Sequence, residues 1–400
     1  MNNKKRIHII ALAALGEGLS GGDRIFIEFA RRWSRKMLVN LYVWEEGLLM
    51  CQRENLRGKF LHINLVKVSH LSRLGFIFTY FYRVFLGIKL GLSIKVTDGD
   101  YIYSASEFWM DSLPAFILKL RKRNKINWVA AWFQTAPNPI KGFSEGTRRH
   151  SYRLNALVYW LIQRLIKPLI AKLADFVLVN NNEEKKQFPV LAKRNRTIVV
   201  LGGVNTVAIS QYLKMHKRIS KRRYLAVFQG RFHPQKGVVE LIDIWKLVTQ
   251  NIPDAKLAMI GNGPLMKDVK KRIKALRLKN NVELFGYLHD GSKKYSIFQS
   301  SRIVVHPAFY DSGGMASAEA MAFGLPCVGF DLQAYSFYYP QGMIKVPIGN
   351  QKAFAGEIVQ LNNNKSIYNT ISMDARNMIM EKYSWTKRAA EIFDILGLAK

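Results

Sequence analysis

The sequence predicts an α/β protein of two doubly wound domains, each a parallel sheet with helices on both faces. Three observations carry that prediction. Four hundred residues are too many for one ordinary core. Short apolar runs alternate with segments of helical period through most of the chain. The runs are continuous rather than alternating, as strands are when both faces of a sheet are covered. A hydrophobic content of 49% excludes a disordered chain.

In the N-terminal half, strands are expected at His8–Ala14, Leu38–Val43, Leu61–Val66, Tyr101–Tyr103, Asn127–Phe133 and Phe176–Val179, with Thr197–Leu201 last. Lys4-Lys5-Arg6 ahead of IHIIALAAL imitates a secretion signal. Helix-like sequence follows at once, so the segment reads as a buried first strand entering a glycine-rich turn. The C-terminal half is clearer, with strands at Tyr224–Gln229, Lys256–Gly261, Asn281–Phe285, Arg302–His306 and Pro326–Phe330. Between them lie helices such as Val238–Gln250, where Val238, Leu241, Ile242 and Trp245 share one face. Strands alternating with helices imply right-handed crossovers and parallel sheets. The polar, basic stretch from Gly202 to Arg223 marks the domain boundary. The last helix, Trp385–Leu396, carries a stripe of Ala389, Ile392, Phe393 and Leu396. In open parallel sheets ligands bind beyond the carboxyl ends of the strands, so two facing sheets place those loops in one shared cleft.

Two loops concentrate chemistry. Gly230-Arg231-Phe232-His233-Pro234-Gln235-Lys236-Gly237 follows a strand and leads into a helix. Two cations at such a turn make an anion site, suited to a diphosphate leaving group. The second loop runs His306 to Met315, with Asp311, Ser312, Gly313 and Gly314 ahead of a helix bearing Glu319. Glycines there let backbone N–H groups approach a ligand. Asp311 in the loop and Glu319, placed about two turns into the helix, are expected to face one cavity, and carboxylates suit sugar and ribose hydroxyls. Ala318, Ala320, Met321 and Ala322 around Glu319 argue against a solvated face.

Gly-Arg…Lys-Gly at 230–237, then an acid-x7-Glu element at 311–319 followed by Ala-Met-Ala and Gly-x-Pro, resembles glycosyltransferase family 4. Its members are retaining enzymes of the GT-B fold. Gly261-Asn262-Gly263-Pro264, Phe285-Gly286-Tyr287-Leu288, Ala174-Asp175, Gly203-Val204-Asn205 and Tyr383-Ser384-Trp385 are further matches. The resemblance implies an acceptor-binding domain over 1–205, a nucleotide-sugar domain over 206–375, and a segment 376–400 whose helix returns to the first domain. It implies that Arg231 and Lys236 neutralise the departing diphosphate, Glu319 holds the ribose and Asp311 contacts the donor sugar. Ser312, Gly313 and the amides of Gly314 and Met315 would line the donor site with Gly230 and Gly263. Tyr287 and Leu288 would edge the base, and Gly21 and Gly22 would approach the phosphate. No metal or cofactor is implied, because fixed cations and helix dipoles do that work. Three departures bear on the sugar: Asp311 where Glu is usual, Gly313 where an aromatic is usual, and Gln134 where many relatives carry His.

The charge stands apart. Sixty-one Lys and Arg against 28 Asp and Glu give +33, implying an anionic partner. An anionic membrane surface is the preferred partner: His70–Leu90 mixes Phe76, Phe78, Phe81 and Phe85 with Arg73, Arg83 and Lys89, as an interfacial helix does. Tyr152–Ile170 is a second candidate, read rather as a helix packed on its own sheet. A lipid-linked or membrane-bound acceptor would follow. Nucleic acid is the rival partner. Gly16-Glu17-Gly18-Leu19-Ser20-Gly21, with Glu45 and Glu46 ending the next apparent strand, also spells a dinucleotide fingerprint, the mark of an oxidoreductase. That reading leaves Arg231, Lys236 and the 311–319 element unexplained. Asp98-Gly99-Asp100 reads as a strand-to-strand turn rather than a metal site. Two cysteines imply no disulfide framework and fit a reducing cytoplasm.

Overall fold

The computed structural model of the chain describes residues 5–16, 19–67, 76–136, 153–216, 219, 222–311, 313 and 315–398, the side chains of 76–77 and 153–156 excepted. The chain divides into two compact units. One takes Met1–Ile140, Tyr152–Gly202 and Thr386–Lys400, the other Gly203–Trp385.

The first unit runs β1 Arg6–Ile10, α1 Gly21–Trp33, β2 Leu38–Val43, α2 Glu45–Arg53, β3 Leu61–Leu65, α3 Phe76–Ser93 and β4 Tyr101–Ser104. It continues through α4 Trp109–Lys122, β5 Asn127–Trp132, α5 Arg153–Leu173, β6 Phe176–Val179, α6 Asn182–Lys185, α7 Pro189–Lys193 and β7 Thr197–Val199. Its seven parallel strands lie in the order β3-β2-β1-β4-β5-β6-β7. The second unit runs α8 Thr206–Met215, β8 Tyr224–Gln229, α9 Val238–Asn251, β9 Leu257–Ile260, α10 Met266–Ala275, β10 Val282–Gly286, α11 Ser292–Gln299 and β11 Ser301–His306. It ends with α12 Met315–Met321, β12 Cys327–Phe330, α13 Gln333–Tyr338, β13 Met343–Val346, α14 Gln351–Asn363 and α15 Lys365–Lys382, and α16 Trp385–Ile395 belongs to the first unit but for its opening tryptophan. Its order is β10-β9-β8-β11-β12-β13. Both sheets are the doubly wound Rossmann-like arrangement read from the sequence.

Local chemistry explains the element ends. Ser20 caps α1 by accepting from the Asp23 N–H, and the Asp23 carboxylate accepts from the Ser20 N–H in return. The opposite end of α1 packs on the C-terminal helix. Trp33 Nε1 donates to the Ala389 carbonyl at 2.9 Å, and its ring meets Phe393 at 6.2 Å. In α9, Val238, Leu241, Ile242 and Trp245 are buried together, as their spacing requires.

Several sequence readings are corrected. β1 stops at Ile10, because Leu12 and Ala13 turn their N–H groups to Asp111 Oδ1 at 2.6 and 3.0 Å instead of to a neighbouring strand. Glu45 and Glu46 open α2 rather than end β2, where the helix dipole favours acids. Asp98-Gly99-Asp100 joins a helix to a strand: Asp100 is buried and accepts from the Arg6 guanidinium at 2.9 Å and the Thr97 N–H at 2.8 Å. β13 was not anticipated, since Lys345 interrupts its short apolar run. Glu17, Gly18 and 68–75 lie outside the described residues.

Candidate active site

The second unit has its topological switch between β8 and β11, neighbours whose connections leave to opposite sides. The two loops singled out in the sequence follow these two strands. They are joined: Phe309 N–H donates to the Gln235 carbonyl at 2.8 Å. Gly237 caps α9 at φ +63, and a Cβ there would lie 2.0 Å from the Pro307 carbonyl oxygen. Only glycine permits that approach. The loop after β9 is locked on similarly, with Gly261 against the Gly230 carbonyl and Gly263 against Phe232. Gly261 N–H reaches the Gly286 carbonyl at 2.8 Å, tying in the turn that carries Tyr287 and Leu288. Tyr287 is exposed and Leu288 half-buried.

The charged side chains sit on this framework unequally. Arg231 is exposed and has no partner among the described residues. Lys236 ends a 3-10 turn, Pro234–Lys236, rather than opening the helix, and its ammonium binds Asp311 Oδ2. His306, at the end of β11, meets the same oxygen at 2.9 Å through Nε2, and Gly313 N–H reaches Oδ1 at 3.2 Å. Burial by itself would raise the Asp311 pKa. The Lys236 charge and the His306 hydrogen bond overcome it and hold the carboxyl well below the carboxylate range. Burial lowers the His306 pKa, only partly offset by Asp311, so His306 is neutral at pH 7. Both Asp311 oxygens are thus committed within the protein.

Glu319 is the fifth residue of α12, little more than one turn in rather than two, because the helix starts only at Met315. Its Oε2 receives Gln229 Nε2 at 2.9 Å and Lys294 Nζ at 2.6 Å. Gln229 ends β8 beside Gly230, so Glu319 adjoins the Arg231 loop. Lys294 also binds Asp290, and its side chain is only 2% exposed. The sequence reading passed over Lys294, His306 and Gln229. For Lys294 a signal existed: Ile297 and Phe298 lie three and four residues on and are buried, so the lysine stands on the inward face of α11. Gly313 is explained by Tyr338, whose ring Cζ lies 2.6 Å from where a Cβ would be. A tyrosine from α13 fills the space that an aromatic side chain at 313 would take. Ser312 and Gly314 lie outside the described residues.

The candidates in the first unit gather near its own switch, between β1 and β4, with β5 next to β4. Gly21 and Gly22 are the first residues of α1, and a Cβ on Gly22 would lie 3.4 Å from Phe133. Gln134 follows Phe133, and its carbonyl accepts from Gln163 Nε2 at 2.7 Å. Gln163 Nε2 and Tyr159 Oη also bind Glu107. Glu184 accepts from the Thr135 N–H at 2.8 Å and the Thr135 hydroxyl at 2.5 Å. Burial raises the pKa of Glu107, Glu184 and Asp111, the last to about 8. Among the described residues, no group of three or more His, Cys, Asp or Glu is placed to hold a metal.

Residues 182–378, which carry the whole of this second-unit geometry, match the family model described as Glycosyl transferases group 1. That stretch of the chain belongs to the family. It is similar to an Escherichia coli UDP-Gal:alpha-D-GlcNAc-diphosphoundecaprenol alpha-1,3-galactosyltransferase, 24% identical over 270 residues, 64% of this chain and 67% of that protein. A Mycobacterium leprae phosphatidyl-myo-inositol mannosyltransferase is 24% identical over 251 residues, 62% of this chain and 65% of that protein. Among solved structures, Anabaena HepE in complex with UDP and glucose superposes at a TM-score of 0.71 and 15% identity, covering 98% of this chain and 99% of that one. That likeness establishes the GT-B fold, and the group 1 glycosyltransferase carries its motifs on the loops after β8 and β11.

Proposed function

We propose that this glycosyltransferase moves a hexose-type sugar, with retention of anomeric configuration, from a nucleoside-diphosphate donor to a lipid-linked or membrane-bound acceptor. The donor half of the reading is carried by one observation: Arg231, exposed and unpaired among the described residues, stands at the switch-point turn ahead of α9, on the loop that also bears Lys236. A departing diphosphate meets Arg231 and the N–H donors of Lys236 that Asp311 leaves unused. These cations do the work of a divalent metal, so EDTA leaves turnover unchanged. Glu319 takes the ribose. Asp311 acts through Lys236, which it fixes in place, and the sugar hydroxyls fall to neighbouring groups. Gly21 and Gly22 serve the phosphate, Gln134 the acceptor side. Retention rests on the family, and NMR of the product anomer reads it directly.

The acceptor half is supported by the printed substrates of the E. coli and M. leprae relatives and by the helical layer α3-α4-α5 of the first unit. Phe78, Phe81, Phe85 and Leu92 form an exposed stripe on α3, and Leu157, Leu161 and Leu165 one on α5. The two helices contain no Asp or Glu, and Lys89, Arg164 and Lys172 are exposed on them. Apolar bulk beside cations fits an anionic lipid surface. Among the described residues no helix is long and apolar enough to cross a membrane.

Thermal shift with UDP-, GDP- and ADP-sugars tests the donor: one of them raises the melting temperature, since it binds only the folded state. No shift from any donor overturns the reading. Flotation with anionic liposomes at low salt tests the surface, with Phe81→Ser/Phe85→Ser left at the bottom of the gradient. The net charge of +33 favours a second reading, nucleic-acid binding. Salt-sensitive DNA or RNA binding without flotation would select it.

A further inference from the structure

Lys294 is an oddity in a basic chain: its ammonium is buried, 2% exposed, and held between Asp290 and Glu319. Isolated, a buried lysine is costly, and two carboxylates in its place would repel each other and any diphosphate. Here one ammonium joins both. Its bond to Glu319 ends on Oε2, as does that of Gln229 Nε2, so Oε1 receives no hydrogen bond among the described residues. The Glu319 side chain keeps 16% of its surface exposed. Asp290 belongs to the loop after β10 that begins with Tyr287 and Leu288.

We infer that Lys294 is a positioning residue for the nucleoside. It saturates one oxygen of Glu319, presents the other to the ribose hydroxyls, and ties that carboxylate to the loop assigned to the base. The inference rests on the donor reading above, in which Glu319 takes the ribose. Without the ammonium, Glu319 is free to rotate and its charge is uncompensated as a nucleoside diphosphate approaches. At metal sites, partners that orient a ligand from behind contribute about 10- to 100-fold in affinity, and an effect of about that size is expected for Lys294.

Calorimetry of UDP and of 2′,3′-dideoxy-UDP against wild type, Lys294→Met and Lys294→Arg tests this, with the GDP and ADP pairs run in parallel. Wild type discriminates against the dideoxy nucleotide. Lys294→Met weakens the ribonucleotide roughly 10- to 100-fold but the dideoxy form little, because the two perturbations remove one interaction and are not additive. Lys294→Arg, which keeps the charge, restores most of the discrimination. Equal loss for both nucleotides, or full discrimination retained in Lys294→Met, overturns the inference. Should Lys294→Met fail to fold, loss of discrimination on a mild change decides: Lys294→Arg with wild-type melting and no discrimination also overturns it. Failure of the donor reading looks different, since wild type itself then binds none of the nucleotides or ignores the ribose hydroxyls.

Discussion

The two units share a strand order, yet their switch points carry opposite electrostatics. After β8 and β11, acids are answered by cations: Asp311 by Lys236, Glu319 by Lys294, and Arg231 is left over. In the first unit Glu107 and Asp111, after β4, and Glu184, after β6, are buried without a salt bridge among the described residues, answered instead by backbone N–H groups, hydroxyls and an amide. The first arrangement leaves surplus positive charge for an anionic ligand. The second spends its carboxylates on holding loops. One topology therefore carries two electrostatic arrangements, because sheet order fixes where loops converge and not what they carry.

The largest test of this contrast is Arg231→Ala. It removes the unpaired cation, so kcat falls about 100- to 1,000-fold while the melting temperature holds, because the side chain is exposed. A near-wild-type kcat would mean the diphosphate is neutralised elsewhere. In the first unit the corresponding loss is structural. Asp111→Ala strands the Leu12 and Ala13 N–H groups and costs about 3 kcal/mol in denaturant unfolding. An unchanged midpoint would show that loop to be held otherwise.

Gly313→Ala pushes a methyl into Tyr338 and costs about 1–3 kcal/mol, and Tyr338→Ala in the same chain recovers part of it. Lack of recovery would separate the two positions. The smallest effect is a pH slope. His306 has a lowered pKa in the fold, so the unfolded chain binds more protons. Its contribution is present above the unfolded value of 6.5 and lost as pH falls below it, by at most about 1.4 kcal/mol per pH unit. His306→Asn flattens the melting temperature between pH 7 and 5.

Legibility followed residue spacing. The runs at Tyr224–Gln229 and Leu38–Val43 became strands with those bounds: the first is buried on both faces and leaves a continuous apolar signature, the second is buried at alternate positions. Helix starts were harder. The entry to α12 was placed too early: the helix begins at Met315. Lys294, in Ser-Lys-Lys-Tyr, shares a helix face with Ile297 and Phe298, but its partner Glu319 lies 25 residues on and is brought beside it only by the fold. Asp111 pairs across 99 residues with a loop whose sequence names no partner.

The sequence by itself determined the two doubly wound sheets and which acids and cations the loops after β8 and β11 carry, because periodicity and turn chemistry are local. Only the tertiary structure decided which of those charges remain available. Asp311 and Glu319 share one stretch of motif, yet Asp311 is consumed by pairing with Lys236 from the other loop and Glu319 keeps one oxygen. Pairing is set by proximity between strands distant in sequence, and burial then fixes the charge state each pair must hold.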